Sequence, residues 1–428
     1  MSQTVLRNAV LFDGVSDDLQ DGVDLIVEDN RIREVGPGLK ALGDVVEIDV
    51  AGRTVLPGLI DAHVHLLAVH LNMLKAADYS ITLLTAHALP RIRNMLDRGF
   101  TTVRDVAGAD FGIKEALQKG LITGPRAFVC GPGLTQTGGH GDHRKRTDSG
   151  HDICGCSNGL DFGRRIVDGP EQMRLAVRDE LRKGADHIKV MAGGGVGSPH
   201  DAIDDCQYSE EELRVAAEET ALKHTYVAAH AYGSRAVQRA VGSGIRTVEH
   251  CNLIDEETAR FVRDHDAFVV PTMVCYSVTE QHGDEMGLSA YVMEKLRYVI
   301  EGGNRMLEYC ARNGTRMGFG TDLMGELEFA QSHEFVIRAG VQKPIDVLKS
   351  ATSINAEILN RTGELGCVRP GALADLVVVD GNPLDDIALL DGQGENLSLI
   401  MQDGRLHKNR LKTSERSSSA THAAPAAH

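Results

Sequence analysis

Two histidines one residue apart, His63 and His65, close the apolar run Val-Leu-Pro-Gly-Leu-Ile-Asp-Ala-His-Val-His-Leu at residues 55–66. Side chains of a strand alternate faces with a period of two, so in a strand both imidazoles face one side and can chelate a metal. By itself the pair is equally compatible with a strand end whose histidines bond to nearby backbone. Further titratable residues close other apolar runs: Lys189 in His-Ile-Lys-Val-Met, His230 in Val-Ala-Ala-His, His250 in Val-Glu-His and Asp322 in Gly-Thr-Asp. Taken singly, each has a structural explanation, a satisfied core imidazole for His230 and His250 and a helix cap for Asp322. Their joint recurrence at run ends favours one shared site.

Lys189 is the most informative of the set. Ile188 and Val190 share one face, which turns Lys189 to the other, toward the interior. An unpaired buried ammonium is strongly unfavourable, so it must be paired or neutralised. Three readings follow: an ion pair with Asp322 or another acid, a Schiff-base lysine, or a neutral amine that has taken up carbon dioxide. The carbamate formed in the third case offers two anionic oxygens to a pair of metal ions, and four nearby histidines favour it.

The elements that must position these residues are legible as a rhythm. Short apolar runs at residues 55–66, 101–106, 126–131, 187–192, 226–230, 245–250, 267–273 and 315–320 alternate with helical stretches such as 82–97, 171–183, 209–224 and 234–242. Ser209 followed by Glu210 and Glu211 predicts an N-cap with acids in the first turn. Strands alternating with helices run parallel, and eight of them close a (β/α)8 TIM barrel whose C-terminal strand ends converge on one mouth. Two long loops interrupt the rhythm, at 132–170 and 193–208, lengths characteristic of lids and binding segments. Before the barrel lie β-rich runs at 5–11, 23–27, 32–35 and 45–50, and β-rich character returns near 371–380 and 397–406. The expected fold is therefore α/β: residues 58–360 a barrel, and 1–57 with 361–410 a small β-sandwich-like domain built from both chain ends. Residues 411–428, rich in Ser and Ala, are expected to be a disordered tail.

Bulk properties narrow the partner. A net charge of -16, 4% aromatic residues and no Trp over 428 residues argue against nucleic acid and for a small-molecule substrate. No signal-like N-terminal segment or membrane-length apolar stretch is legible, so the expectation is a cytoplasmic protein away from membranes. Eight cysteines are too sparse for a disulfide scaffold and read as free thiols.

The stretch at residues 57–65, Lys189 in His-Ile-Lys-Val-Met-Ala-Gly-Gly-Gly, His230, His250, Gly320-Thr321-Asp322 and Ala374-Asp375-Leu-Val-Val-Val-Asp380 together resemble the amidohydrolase superfamily. The resemblance spans nearly the whole chain. His-Ala-Tyr-Gly at 230–233 and the His-containing loop after the third strand are similar to the binuclear prolidase and carboxypeptidase branch, which includes ochratoxin-type amide hydrolases. This resemblance implies one metal on His63, His65 and Asp322, a second on His230 and His250, and N6-carboxylated Lys189 bridging them. Zinc suits such imidazole and oxygen donors, with manganese, cobalt and iron as alternatives. It further implies hydroxide attack on an amide carbonyl, with Asp322 first as general base and then as general acid, and a homo-oligomeric assembly.

The implied substrate is a dipeptide or an N-acyl amino acid, ochratoxin A among them, cleaved at the amide bond to its C-terminal amino acid. Tyr232, two residues past His230, is a candidate donor to the oxyanion or the substrate carboxylate, and His140 a candidate for carboxylate recognition or carbonyl polarisation. Ordinary loop contacts explain both equally well. Arg144-Lys145-Arg146 reads as solvated surface, and a separate zinc site from His140, His143, His151, Cys154 and Cys156 has no standard spacing. Gly193-Gly194-Gly195-Val196-Gly197 fits a lid hinge better than a phosphate loop. The rival readings are a deaminase or cyclic-amide hydrolase resembling imidazolonepropionase, against which Lys189 counts, and a non-catalytic binding barrel.

Overall fold

A computed structural model of the chain describes residues 3–71, 79–144, 164–198, 201–283 and 287–416. Its first strands, β1 (Gln3–Leu11), β2 (Gln20–Glu28), β3 (Arg31–Gly36), β4 (Val45–Asp49) and β5 (Thr54–Pro57), belong to one mixed sheet. There β1 pairs antiparallel with β2, while on its other edge it runs parallel to β4 along Gln3–Arg7 and to β5 at Val10 and Leu11. The sheet therefore forks at β1.

The run at 55–66 does not stay in that sheet. It divides at Gly58, after which β6 (Leu59–Val64) pairs in parallel with β7 (Phe100–Asp105), itself parallel to β8 (Arg126–Val129). A Cβ on Gly58 would lie 2.1 Å from Thr101 Oγ1, so only glycine permits the crossing between sheets. A second parallel sheet has the order β10 (Arg164–Ile166), β9 (Gly133–Thr135), β11 (Ile188–Met191), β12 (Val227–Gly233), β13 (Thr247–Leu253) and β14 (Phe268–Val270). The pair β9 and β10 gives structure to the ends of the long 132–170 loop.

Hydrogen bonds link the two parallel sheets. Asp186 donates its N–H to Val129 O at 2.7 Å on one side. On the other, Gly318 donates to Val269 O and Ala62 to Phe319 O, each at 2.8 Å. The expected strand at 315–320 is here a single parallel bridge between Met317 and Val269. The reason lies in side chains that take its backbone groups: Asn355 accepts from Phe319 N–H at 3.1 Å and donates to Phe319 O at 2.8 Å, and Arg338 donates to Gly318 O at 2.8 Å.

Helices cover the parallel strands close to where periodicity places them, at Ile81–Asp97, Pro170–Arg182, Glu210–Ala221 and Ser234–Gly242. Ser209 forms a full capping box, accepting Glu212 N–H at 3.2 Å while Glu212 Oε2 accepts Ser209 N–H at 2.8 Å. Ile188 and Val190 pack into a cluster with Val177, Leu213 and Ala216 of these helices. Lys189, between them, faces away from the helices.

After residue 360 the chain returns to the forked sheet, where β15 (Leu376–Val379) pairs antiparallel with β5 and with β16 (Leu397–Gln402), followed by β17 (Arg405–Asn409). Within the segment expected to be a structureless tail, β18 (Thr413–Arg416) instead adds antiparallel to β4. Thr413, Ser414 and Glu415 are exposed and build no core, and backbone hydrogen bonding to a strand edge suffices to order them. Lys145, Arg146, His151, Cys154, Cys156 and residues 417–428 lie outside the described residues. Six described cysteines are free, and no described helix is long and apolar enough to cross a membrane.

Candidate metal centre

The ends of the parallel strands gather the histidines, lysine and aspartate that the sequence singles out. His63, near the end of β6, and His65, just beyond it, stand with ring centroids 5.5 Å apart. Asp322 Oδ1 lies 3.3 Å from His63 Nε2 and 3.0 Å from His65 Nε2. Backbone bonds hold that carboxylate in place: the N–H groups of Thr321 and Asp322 both donate to His63 O, at 3.2 and 2.8 Å. Thr321 Oγ1 donates to the buried Asp61 carboxylate at 2.6 Å, and Gln331 Nε2 donates to it at 2.9 Å. Asp322 has φ 53°, a left-handed conformation uncommon for a non-glycine residue and enriched at functional sites.

His250 brings its Nδ1 to 4.0 Å from Asp322 Oδ2, and one ligand atom each from His63, His250 and Asp322 fall within 4.8 Å of one another. The β13 backbone is distorted there, with φ 78° at His250 and 60° at Cys251. That distortion breaks strand alternation and lets adjacent residues Glu249 and His250 both serve the interior. Tyr276 OH and Thr272 Oγ1 each lie 2.8 Å from His250 Nδ1. The ring of His230, from β12, is 4.6 Å from that of His250, and its Nε2 is 3.1 Å from Gly194 O.

Electrostatics leave this group ready to bind a cation. Burial pushes the pKa values of both His230 and His250 well below that of free histidine, helped at His230 by His140, His250 and Lys189, and at His250 by His63 and Lys189 against the opposing pull of Asp322 and Glu249, so both offer neutral nitrogen lone pairs. Burial acts to raise the pKa of Asp322, but His63 and His65 outweigh it and hold the carboxyl anionic. Burial also lowers the Lys189 pKa, against the opposing pull of Glu249 and Asp322. Among the described residues Lys189 makes no hydrogen bond or ion pair, so the salt-bridge reading of this lysine has no partner. Imidazoles and a carboxylate converging in this way form a donor set that can take a divalent cation.

The two substrate-side candidates also reach the cluster. Tyr232 lies with its ring 5.2 Å from His250, and its hydroxyl accepts from Tyr276 OH at 3.1 Å. Burial raises the Tyr232 pKa well above that of free tyrosine, so its proton stays available for donation. His140 stacks on His230 at 4.3 Å with Nδ1 3.3 Å from Asp201 Oδ2. The Gly-rich loop makes this stacking possible, since a Cβ on Gly195 would lie 2.0 Å from the His140 ring. Arg144 is engaged by Asp142, at 2.8 and 2.6 Å.

Sequence reasoning missed Glu249, Arg104, Asp201 and Tyr276. Glu249 Oε2 accepts from His63 Nδ1 at 2.8 Å, and both Glu249 oxygens accept from Arg104 Nη2 at 2.9 Å, all three residues being buried. Burial opposes ionisation of Glu249, but the Arg104 guanidinium and His63 hold its pKa well below the ordinary carboxylate range. The available signal is an acid adjacent to a candidate ligand, a weak one because regular alternation sends neighbours to opposite faces.

With this geometry in view, comparisons with known proteins converge. The family model described as the amidohydrolase family matches residues 54–406. Ochratoxinase of Aspergillus niger is 30% identical over 371 residues, covering 82% of this chain and 75% of that protein. A crystal structure of an amidohydrolase superposes with a TM-score of 0.93 at 46% identity, covering 96% of this chain and all of the other (100%). A prolidase crystallised with N-methylphosphonate-L-proline superposes with a TM-score of 0.92 at 45% identity, covering 95% of this chain and 100% of that one.

Proposed function

This chain belongs to the amidohydrolase family, and from that premise we propose that it is a binuclear metal-dependent hydrolase of the amide bond to a C-terminal amino acid. Its substrates are dipeptides, cleaved in the manner of a prolidase or carboxypeptidase, or N-acyl amino acids, with ochratoxin A among the candidates. The architecture proposed to carry this is a (β/α)8 barrel spanning residues 58–360 with a small domain from both chain ends, in a homo-oligomer located in the cytoplasm. The observation that carries the proposal is the convergence of His63, His65, His250 and Asp322 beside a buried Lys189 that has no ionic partner among the described residues.

In this reading His63, His65 and Asp322 would hold one divalent cation and His230 and His250 the other, with carboxylated Lys189 supplying anionic oxygens to both. Zinc fits these nitrogen and oxygen donors, and two such ions when bound acidify a water and polarise the scissile carbonyl. Asp322 takes the proton of the attacking water on its carboxylate and returns it to the departing amine. Tyr232, kept protonated by burial, donates to the developing oxyanion, and Tyr276 holds its hydroxyl in place. His140, fixed between the His230 ring and Gly195, faces the substrate's carboxylate or carbonyl.

The test is to screen the zinc-loaded full chain against dipeptides varied at the C-terminal position, together with N-acyl amino acids including ochratoxin A. Release of the C-terminal amino acid from a subset is the expected result. Absence of release from every member would end the peptidase reading.

A further inference from the structure

Glu249 and Arg104 form a fully buried ion pair in the interior behind the cluster, with side-chain exposures of 0% each. Two charges buried this deeply are costly to desolvate, and an apolar pair of similar volume often supports a fold as well or better. Their contacts show what the pair holds. Arg104, on β7, donates through Nε to Ala62 O at 2.5 Å, next to His63, and through Nη1 to Thr247 Oγ1 at 3.1 Å. Thr247 Oγ1 in turn donates to Glu249 Oε1 at 2.7 Å. Glu249 is thereby held by Arg104 and Thr247, and its Oε2 meets His63 Nδ1 at 2.8 Å. A carboxylate can only accept, so His63 carries a proton on Nδ1, and Nε2 is the nitrogen that faces Asp322 Oδ1, 3.3 Å away.

We propose that Glu249, anchored by Arg104, is a positioning residue that locks His63 in its Nδ1–H tautomer and so presents Nε2 as a metal ligand. The inference rests on the metal-dependent reading of the site. His65 illustrates the same device with a weaker acceptor, its Nδ1 meeting Ala107 O at 2.9 Å. A carboxylate behind a ligating imidazole orients the ring and raises its basicity, and losing such a partner costs about 10–100-fold in metal affinity.

The experiment measures zinc affinity of the full chain by competition with a chromophoric chelator. It compares wild type with the double variants Arg104→Met/Glu249→Leu and Arg104→Met/Glu249→Gln. The apolar pair removes both charges and the acceptor, and its zinc dissociation constant is expected to rise by about 10–100-fold. The glutamine pair returns an acceptor for Nδ1–H and is expected to fall between the other two. Wild-type affinity in the apolar variant would overturn the proposal, because a merely structural pair is replaceable in this way. Should the variants not fold, ring 15N NMR of histidine-labelled wild type decides, with His63 assigned by its loss in His63→Asn. An Nδ1–H signal supports the proposal and an Nε2–H signal overturns it. A wild-type chain that takes up no zinc would instead overturn the metal reading itself, and the positioning role with it.

Discussion

The forked sheet and the ends of the parallel strands bury their residues on opposite principles. In the sheet, Leu6, Leu25, Ile48, Val55, Val378 and Leu399 are fully buried in one apolar cluster, and the ion pair Arg53–Asp380 sits at the rim with side chains 35% and 38% exposed. At the strand ends Lys189, Glu249, Arg104, His230 and His250 are buried instead, in places where desolvation works against every charge. Apolar burial stabilises whatever the protein does, whereas buried ionisable groups lower stability unless paired. Concentrating the second kind in one region is the mark of a site selected for chemistry.

That contrast can be broken by substitutions that should separate activity from stability. The largest expected effect is on catalysis: Asp322→Asn should lower kcat roughly 10²–10⁴-fold, the range of a general acid–base group, without lowering Tm. Steady-state assays beside thermal melts check it. The converse is expected in the sheet, where Leu25→Ala should destabilise by about 2–5 kcal/mol in urea unfolding while kcat of the folded fraction is unchanged. Loss of kcat in the sheet variant, or a fall in Tm in the Asp322 variant, would erase the distinction.

A smaller effect concerns Glu334, on the helix His333–Ala339, whose Oε2 accepts Val274 N–H at 2.7 Å. Burial pushes its pKa up to about 8, with Arg338 only partly offsetting this. The folded state therefore keeps a proton that the unfolded chain releases above its ordinary carboxylate range. Stability should fall as pH rises between that range and about 8. Glu334→Gln, measured by denaturant unfolding across this window, should flatten the dependence, and an unchanged slope would refute it. At the small end, Arg53→Ala at the sheet rim should cost less than about 1 kcal/mol, since exposed pairs are screened by solvent.

How far the sequence reveals this arrangement depends on whether local rules hold. His63 and His65 were legible because one residue separates them at the end of β6 and both rings reach Asp322, and Lys189 because Ile188 and Val190 flank it on the helix-facing side. Glu249 was not, because the left-handed backbone at His250 and Cys251 overrides alternation where it matters. The segment at 315–320 has strand composition but pairs through only a single bridge, since Asn355 and Arg338, distant in sequence, take some of its backbone groups. Tyr276 lies on the helix Met273–His282 immediately after β14, and Asp201 in a loop. No periodic pattern points either residue toward the site. The forking of the sheet at β1 depends on which half of one long strand meets β4 and which meets β5, a choice of partners that apolar runs do not encode.

The central claim is a two-metal centre bridged by Lys189, and metal content tests it most directly. Full-length protein loaded with zinc and freed of loosely bound ions should retain about two divalent ions per chain by mass spectrometry. In Lys189→Ala both the metal content and the amide-hydrolase activity should fall together. A single ion per wild-type chain, with activity unchanged in Lys189→Ala, would contradict the account.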